Sequence, residues 1–141
     1  MFMVTHTLRR RRHRGAAAVE FALVVPLLVM ILFGIMEFGY AFFIQASVAG
    51  AAREGVRSYA INWTKASAPS DAIARAKSAP GLVPSDFVNE TISPSCTTTT
   101  VGSQTTLTLT YKYRSLTGLL DGILASSNIT LTGIGSMACG G

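Results

Sequence analysis

The residues whose types and spacing most clearly indicate chemistry lie where a basic stretch is followed by a long apolar one. Gly15 ends the basic stretch, and Glu20 is the first acidic residue of the chain. A carboxylate at the edge of an apolar span is energetically unfavourable and therefore indicates a function. Cleavage after Gly15 would give Ala16 a charged amine one helical turn from Glu20, and the two charges could then pair within one chain or between neighbouring subunits. The alternatives are a flexible joint at Gly15 and a simple interfacial carboxylate at Glu20.

The sequence contains no recognisable catalytic or metal-binding set. Both histidines, His6 and His13, precede the apolar run, and the two cysteines lack the spacing of metal ligands. No glycine-rich phosphate loop follows a strand pattern. We therefore predict that the protein is not an enzyme and uses no metal or other cofactor. A secreted enzyme is the disfavoured alternative.

The apolar run predicts a transmembrane helix. Hydrophobic residues make up 49% of the chain and charged residues only 13%, about half the charged share of a typical soluble domain. Residues 21–44 are long enough and apolar enough to cross a bilayer. A retained anchor fits this length better than a cleaved secretory signal, which has a shorter apolar stretch.

The charge distribution predicts the orientation of this helix. Five arginines before residue 15 account for the net charge of +5, because the remaining seven basic and seven acidic residues cancel. Basic flanks stay on the cytoplasmic side, so we expect a cytoplasmic N-terminus and an external C-terminal part. A nucleic-acid partner is not predicted, because membrane topology already explains these arginines.

One continuous helix is predicted from about residue 16 to about residue 60. Its small residues over 49–60 would allow close packing, which we expect against the head of the same chain and not against a partner helix. Four charged residues are candidates for helix packing: Glu37, Arg53, Glu54 and Arg57. Glu54 and Arg57 are expected to pair at a spacing of three residues. Glu37 adjoins an aromatic cluster, which favours the far membrane interface over a pair with a partner cation.

The remaining residues predict a small α+β head with an antiparallel sheet. Strict alternation makes residues 105–113 the best strand. A second strand is expected over 128–138, where Gly133 and Gly135 would allow a bulge or close helix contact. A weaker strand over 88–98 is placed at a sheet edge because of Pro94.

Two helical segments are also predicted in the head. Residues 71–79 read as a short helix opened by Ser70. Five apolar residues at helical spacing would form either a cap on the sheet or an exposed contact site, with the cap favoured. They are Leu116, Leu119, Leu120, Ile123 and Leu124.

Cys96 and Cys139 both follow the predicted span. Their position on the oxidising side of the membrane predicts a disulfide. The alternative is a pair of free thiols. A head of this size has a small core, and closing such a loop would contribute about 4 kcal/mol in the chain-entropy model.

Three motifs resemble the TadE family of tight-adherence (Flp) pilus assembly proteins. They are RGAAAVEFAL at 14–23, FGIMEFG at 33–39 and AAREGVR at 51–57. The first also resembles the start of type IV prepilins, whose basic leader ends in Gly, whose fifth mature residue is Glu and whose leader is removed by a prepilin peptidase. The resemblance implies cleavage between Gly15 and Ala16, with Glu20 recognised by the peptidase and setting the register of helices during assembly.

These expectations combine into one functional hypothesis. A cytoplasmic leader (1–15), a transmembrane and stalk helix (16–60) and a periplasmic head (61–141) would form a minor-pilin or pseudopilin-like protein of the bacterial inner membrane. The implied partners are the prepilin peptidase, other pilus assembly proteins and pilin-like subunits. The alternatives are an uncleaved membrane-anchored binding module of the envelope and a secreted protein with a cleaved signal.

Overall fold

The computed structural model describes residues 12–118 and 129–140, with side chains from residue 15 onward. The elements in chain order are α1 (Arg12–Asn62), α2 (Ala68–Lys77), β1 (Phe87–Ser93), β2 (Gln104–Lys112) and β3 (Thr130–Ala138). A single 3-10 turn at Pro84–Asp86 leads into β1. A long N-terminal helix followed by a small antiparallel sheet confirms the predicted α+β class.

The chain divides into two compact units, residues 1–37 and residues 38–141. In the first unit, α1 presents its apolar side chains outward, with exposed fractions that reach 73% at Leu23. Pro26 lies inside α1 and does not end it. A helix satisfies its own backbone hydrogen bonds, so an apolar helix with this surface suits a hydrocarbon environment.

The second unit contains a three-stranded antiparallel sheet in the order β1-β2-β3. β2 and β3 pair along their full length, from Gln104 opposite Ala138 to Lys112 opposite Thr130. The inward face of β2 carries four buried side chains, as the sequence alternation predicts: Thr105, Leu107, Leu109 and Tyr111.

The core of this unit lies between the sheet and the second half of α1. Four α1 residues at four-residue intervals are almost fully buried: Ile44, Val48, Ala52 and Val56. This spacing defines one face of a helix. These residues share one cluster with Leu107 and Leu109 of β2. The expectation that this part of the helix covers its own head is confirmed.

Two glycines of β3 allow α1 to approach the sheet closely. A Cβ atom at Gly133 would lie 2.5 Å from the carbonyl oxygen of Val48, and one at Gly135 would lie 2.5 Å from that of Ala52. The register with β2 is continuous across both glycines. Of the two predicted roles, close helix contact is therefore the correct one, and there is no bulge.

Helix α2 begins three residues earlier than the sequence predicts. Pro69 lies in its first turn, where its missing N–H is not needed, and Ser67 occupies the N-cap position. The Ser70 hydroxyl donates to the Ser67 carbonyl at 2.8 Å and does not open the helix. The buried side of α2 carries only alanines: Ala68, Ala72 and Ala76.

β1 is an edge strand, as Pro94 predicts, but it is shorter than expected. The strand ends at Ser93, and the Ser93–Pro94 peptide bond is cis. Proline has no N–H for the ladder, so the strand cannot continue to residue 98 as predicted. The predicted apolar helix over 116–124 lies mostly outside the described residues; Leu116, the member that is described, is 59% exposed.

Candidate functional site

The predicted cleavage point lies on an exposed stretch of α1. Gly15, Ala16 and Glu20 are all exposed and helical. Ala16 and Glu20 lie at positions i and i+4 and therefore share one helix face. A Cβ atom at Gly15 would meet no atom within 4 Å, so the helix does not require glycine there. The arrangement brings a potential amine and a carboxylate together at the start of the apolar surface.

Glu37 is an acidic residue within the long helix α1. Its side chain is 3% exposed, which makes it one of the few buried charged residues of the described chain. Its predicted place at the far membrane interface stays a prediction.

Three charged residues follow on the outward face of α1. Arg53, Glu54 and Arg57 are all exposed. Glu54 does not pair with Arg57 as expected; its Oε1 accepts a hydrogen bond from Arg75 Nε of α2 at 2.8 Å. Arg75 was missed because its proximity to Glu54 arises from helix packing. The repeated alanines of α2 are the sequence signal for such close packing.

An open groove runs along this junction of α1 and α2. It has a volume of about 520 Å³, and its lining includes the small residues Gly50, Ala51 and Ala79. Glu54 and Arg75 lie on its wall and also line a smaller neighbouring groove of about 240 Å³, which Arg57 borders. Charged and small residues therefore line this junction together.

A disulfide joins Cys96 to Cys139, with Cα atoms 5.6 Å apart. The predicted bond is therefore present. It links the connection between β1 and β2 to the end of β3. Next to it, the Tyr59 hydroxyl of α1 accepts a hydrogen bond from the Cys96 backbone N–H at 3.1 Å. The bond and this hydroxyl together hold the end of the sheet against α1.

A second ion pair, not predicted from the sequence, stabilises the opposite end of the sheet. Arg114 Nη2 donates to Asp86 Oδ1 at 2.6 Å, and the Asp86 side chain is 4% exposed. The hydrogen bond to Asp86, followed by the charge of that carboxylate, raises the pKa of Arg114 above its ordinary value. Within residues 12–118 and 129–140, no cluster of His, Cys, Asp and Glu is suitable for a metal ion.

Comparison with known proteins agrees with the sequence motifs. The model of one family, described as TadE-like protein, matches residues 15–57. No curated protein and no solved structure matches the chain. The matched segment begins at Gly15 and lies entirely on α1, so it includes both the exposed apolar surface and much of the face that covers the sheet. This match confirms the resemblance to the TadE family.

Proposed function

From the match of residues 15–57 to the TadE-like family, we propose that this chain is a membrane-anchored structural protein of tight-adherence (Flp-type) pilus assembly. It acts as a minor-pilin or pseudopilin-like subunit. Its α1 helix inserts in the bacterial inner membrane, and its disulfide-bonded head lies in the periplasm. The family match carries the proposal, because it coincides with the one described helix that is long and apolar enough to cross a membrane.

The proposed maturation step is hydrolysis of the Gly15–Ala16 peptide bond by a prepilin peptidase. Water supplies the hydroxyl to the Gly15 carboxylate and a proton to the new Ala16 amine. The exposure of this bond and of Glu20 supports access by a peptidase. After cleavage, the ammonium of Ala16 and the carboxylate of Glu20 provide opposite charges at the start of α1. Within an assembly, such a pair in a low-dielectric environment would fix the stagger of neighbouring helices.

N-terminal sequencing of the membrane-extracted protein tests the proposal. In cells with an active prepilin peptidase, we expect the mature chain to begin at Ala16, and Gly15→Ala to leave the leader attached. Gly34→Ala is the matched control, because this helical glycine also has open space around it. It should be processed normally.

The outcomes separate the proposed role from its alternatives. Pilus loss in a deletion strain, restored by the wild-type gene, supports the assembly role. An intact leader together with normal piliation in the deletion strain would identify an uncleaved envelope module. A water-soluble product that begins beyond the apolar run would identify a secreted protein.

A further inference from the structure

The two edge strands of the sheet, β1 and β3, differ in the features that discourage pairing with a further strand. On β1, Glu90 pairs with Lys77 of α2 at 2.6 Å. The register of β1 is broken after Phe87, and the strand ends before Pro94. Such features discourage the addition of another strand. The other edge, β3 at Thr130–Ala138, has no proline and no charged residue, and it pairs with β2 without interruption.

Hydrogen bonds at both ends of β3 show which of its backbone groups face outward. The Ile129 carbonyl accepts from the Tyr113 N–H at 2.8 Å, and the Cys139 carbonyl accepts from the Gly102 N–H at 2.9 Å. In an antiparallel pair, alternate residues bond to the same neighbour. The odd-numbered residues of β3 therefore bond to β2, and the backbone groups of the even-numbered residues point away from the sheet.

Helix α1 binds these outward groups only at the ends. Gln45 Nε2 donates to the Thr132 carbonyl at 3.0 Å, and the Gly140 N–H donates to the Ala60 carbonyl at 3.1 Å. Between these contacts, three residues have outward backbone groups without a hydrogen-bond partner in the part of the chain that the structure describes: Ile134, Ser136 and Ala138.

We propose that the β3 edge from Ile134 to Ala138 receives an extended strand of a different protein. Donors and acceptors that recur at every second residue are complementary to another extended backbone. Cross-strand pairing also defines the chemistry of this strand. Ile134, which is 58% exposed, favours an apolar β-branched or aromatic neighbour, and Ser136 favours one with a hydroxyl group.

The direction of β3 argues against a second copy of this chain. Gln45 contacts Thr132 and Ala60 contacts Gly140, so β3 runs in the same direction as α1. Two-fold pairing of β3 with another β3 would make the two α1 helices antiparallel. Copies inserted in one membrane, as the proposed function requires, have parallel α1 helices. The β1 edge of a second copy is poorly suited as a partner, because its register is broken after Phe87 and the strand ends before Pro94.

Photo-crosslinking of the full chain in its native membrane tests this edge. A benzophenone side chain at Ile134 should attach to an extended segment of another protein, whereas one at Val88 of β1, which is 63% exposed, should not. Ser136→Pro removes an outward N–H and leaves the ladder to β2 intact. We expect it to lower the yield of the Ile134 adduct about tenfold, as loss of one hydrogen bond implies. Ser136→Thr retains the N–H and should preserve the adduct.

A second variant guards against misfolding, because Ser136→Pro also removes the hydroxyl contact with Thr106 at 3.0 Å. Ala138→Lys adds a charge at the edge and should reduce the adduct similarly, with the disulfide and melting temperature unchanged. Four outcomes would each overturn the proposal. Two concern the attachment site: a differently tagged copy of the chain, or residues 119–128 of the same chain. The other two are persistence of the adduct in both variants and the absence of any adduct. N-terminal sequencing of the same sample measures leader cleavage independently. A failure of the proposed function can therefore be distinguished from a failure of the proposed strand pairing.

Discussion

At the scale of single residues, the glycines distinguish tight contacts from open surfaces. Gly133 and Gly135 lie against the backbone of α1, where a methyl group would overlap carbonyl atoms. Gly50 lies on α1 itself, and a methyl group added there would meet no atom within 4 Å. The same residue type is therefore required in β3 and replaceable on the exposed face of α1.

Gly135→Ala should destabilise the head by about 1–3 kcal/mol, because overpacking forces the helix away from the sheet. Gly50→Ala should instead increase stability by up to about 1 kcal/mol, through the better helix propensity of alanine. Thermal unfolding of the detergent-extracted full chain, followed by circular dichroism, measures both. Equal melting temperatures for Gly135→Ala and the wild type would show that the contact is not tight.

Asp86→Asn should lower the melting temperature at neutral pH, because it leaves the Arg114 guanidinium without its anionic partner. The raised pKa of Arg114 gives this contribution a defined pH dependence. The stabilisation is complete below the pKa of Arg114 in the unfolded chain and is lost only as the pH rises through the still higher folded value. The titration of Arg114 should therefore make no difference to stability between about pH 6 and pH 9. Melting curves of Glu54→Gln, which loses only an exposed pair, provide the control.

Local spacing rules predict charged pairs poorly in this protein. Glu54 and Arg57 satisfy the helical spacing rule, yet Glu54 bonds to Arg75, which follows it by 21 positions. Exposed pairs at helical spacing contribute only a few tenths of a kcal/mol, so tertiary packing easily redirects them. The chemistry of Gly15 and Glu20, by contrast, is local, and the sequence places both on one exposed helix.

At the scale of elements, the disulfide joins two parts of the head that the sheet alone does not connect. Cys96 follows β1, and Cys139 follows β3, 43 positions later in the chain. Both cysteines are buried beside Tyr59 and the alanines of α2. The bond therefore links the ends of the two outer strands to each other, next to the helices.

Replacing both Cys96 and Cys139 by alanine should lower the free energy of unfolding by about 4 kcal/mol, since the unfolded chain regains the freedom of the closed loop. Urea titration of the extracted protein measures this loss. Reduction of the wild-type protein should reproduce it, and the reductant should have no effect on the double variant. If reduction leaves the wild-type midpoint unchanged, the stabilising role is excluded.

The elements with the strongest periodicity were the most predictable. β2 was expected at 105–113 and is observed at Gln104–Lys112, because alternation of apolar and polar residues leaves one possible register. The boundaries of β1 and α2 were less accurate. Both depend on proline, which ends β1 but is accommodated in the first turn of α2. Sequence alone does not decide between these two effects of proline.

At the scale of the whole molecule, an apolar helix and a polar head require different environments. The large apolar side chains of α1 before Glu37 are mostly exposed, whereas β2 buries its apolar face. An exposed apolar patch of this extent is typical of a surface that contacts a membrane or another protein. The match to the TadE-like family over 15–57 includes the apolar part, so membrane insertion is part of the proposed function.

Sodium carbonate extraction should leave the protein in the membrane fraction. Leu32→Arg should reduce insertion, because an arginine near the centre of a span costs about 2.5–3.5 kcal/mol. Val101→Arg, which alters an equally apolar exposed residue of the head, should not change insertion. Immunoblots of pellet and supernatant quantify the difference. Complete release of the wild-type protein by carbonate would contradict anchoring by α1.

The common direction of α1 and β3 has a mechanical consequence. Tension applied along α1, with the head held at β3, would act along the strand and load the contacts at Gly133, Gly135 and Gly140 simultaneously. Contacts loaded in shear share the force, whereas contacts that are peeled apart fail one at a time. The head is therefore built to resist a pull directed along the helix axis better than a pull that lifts the strand from it.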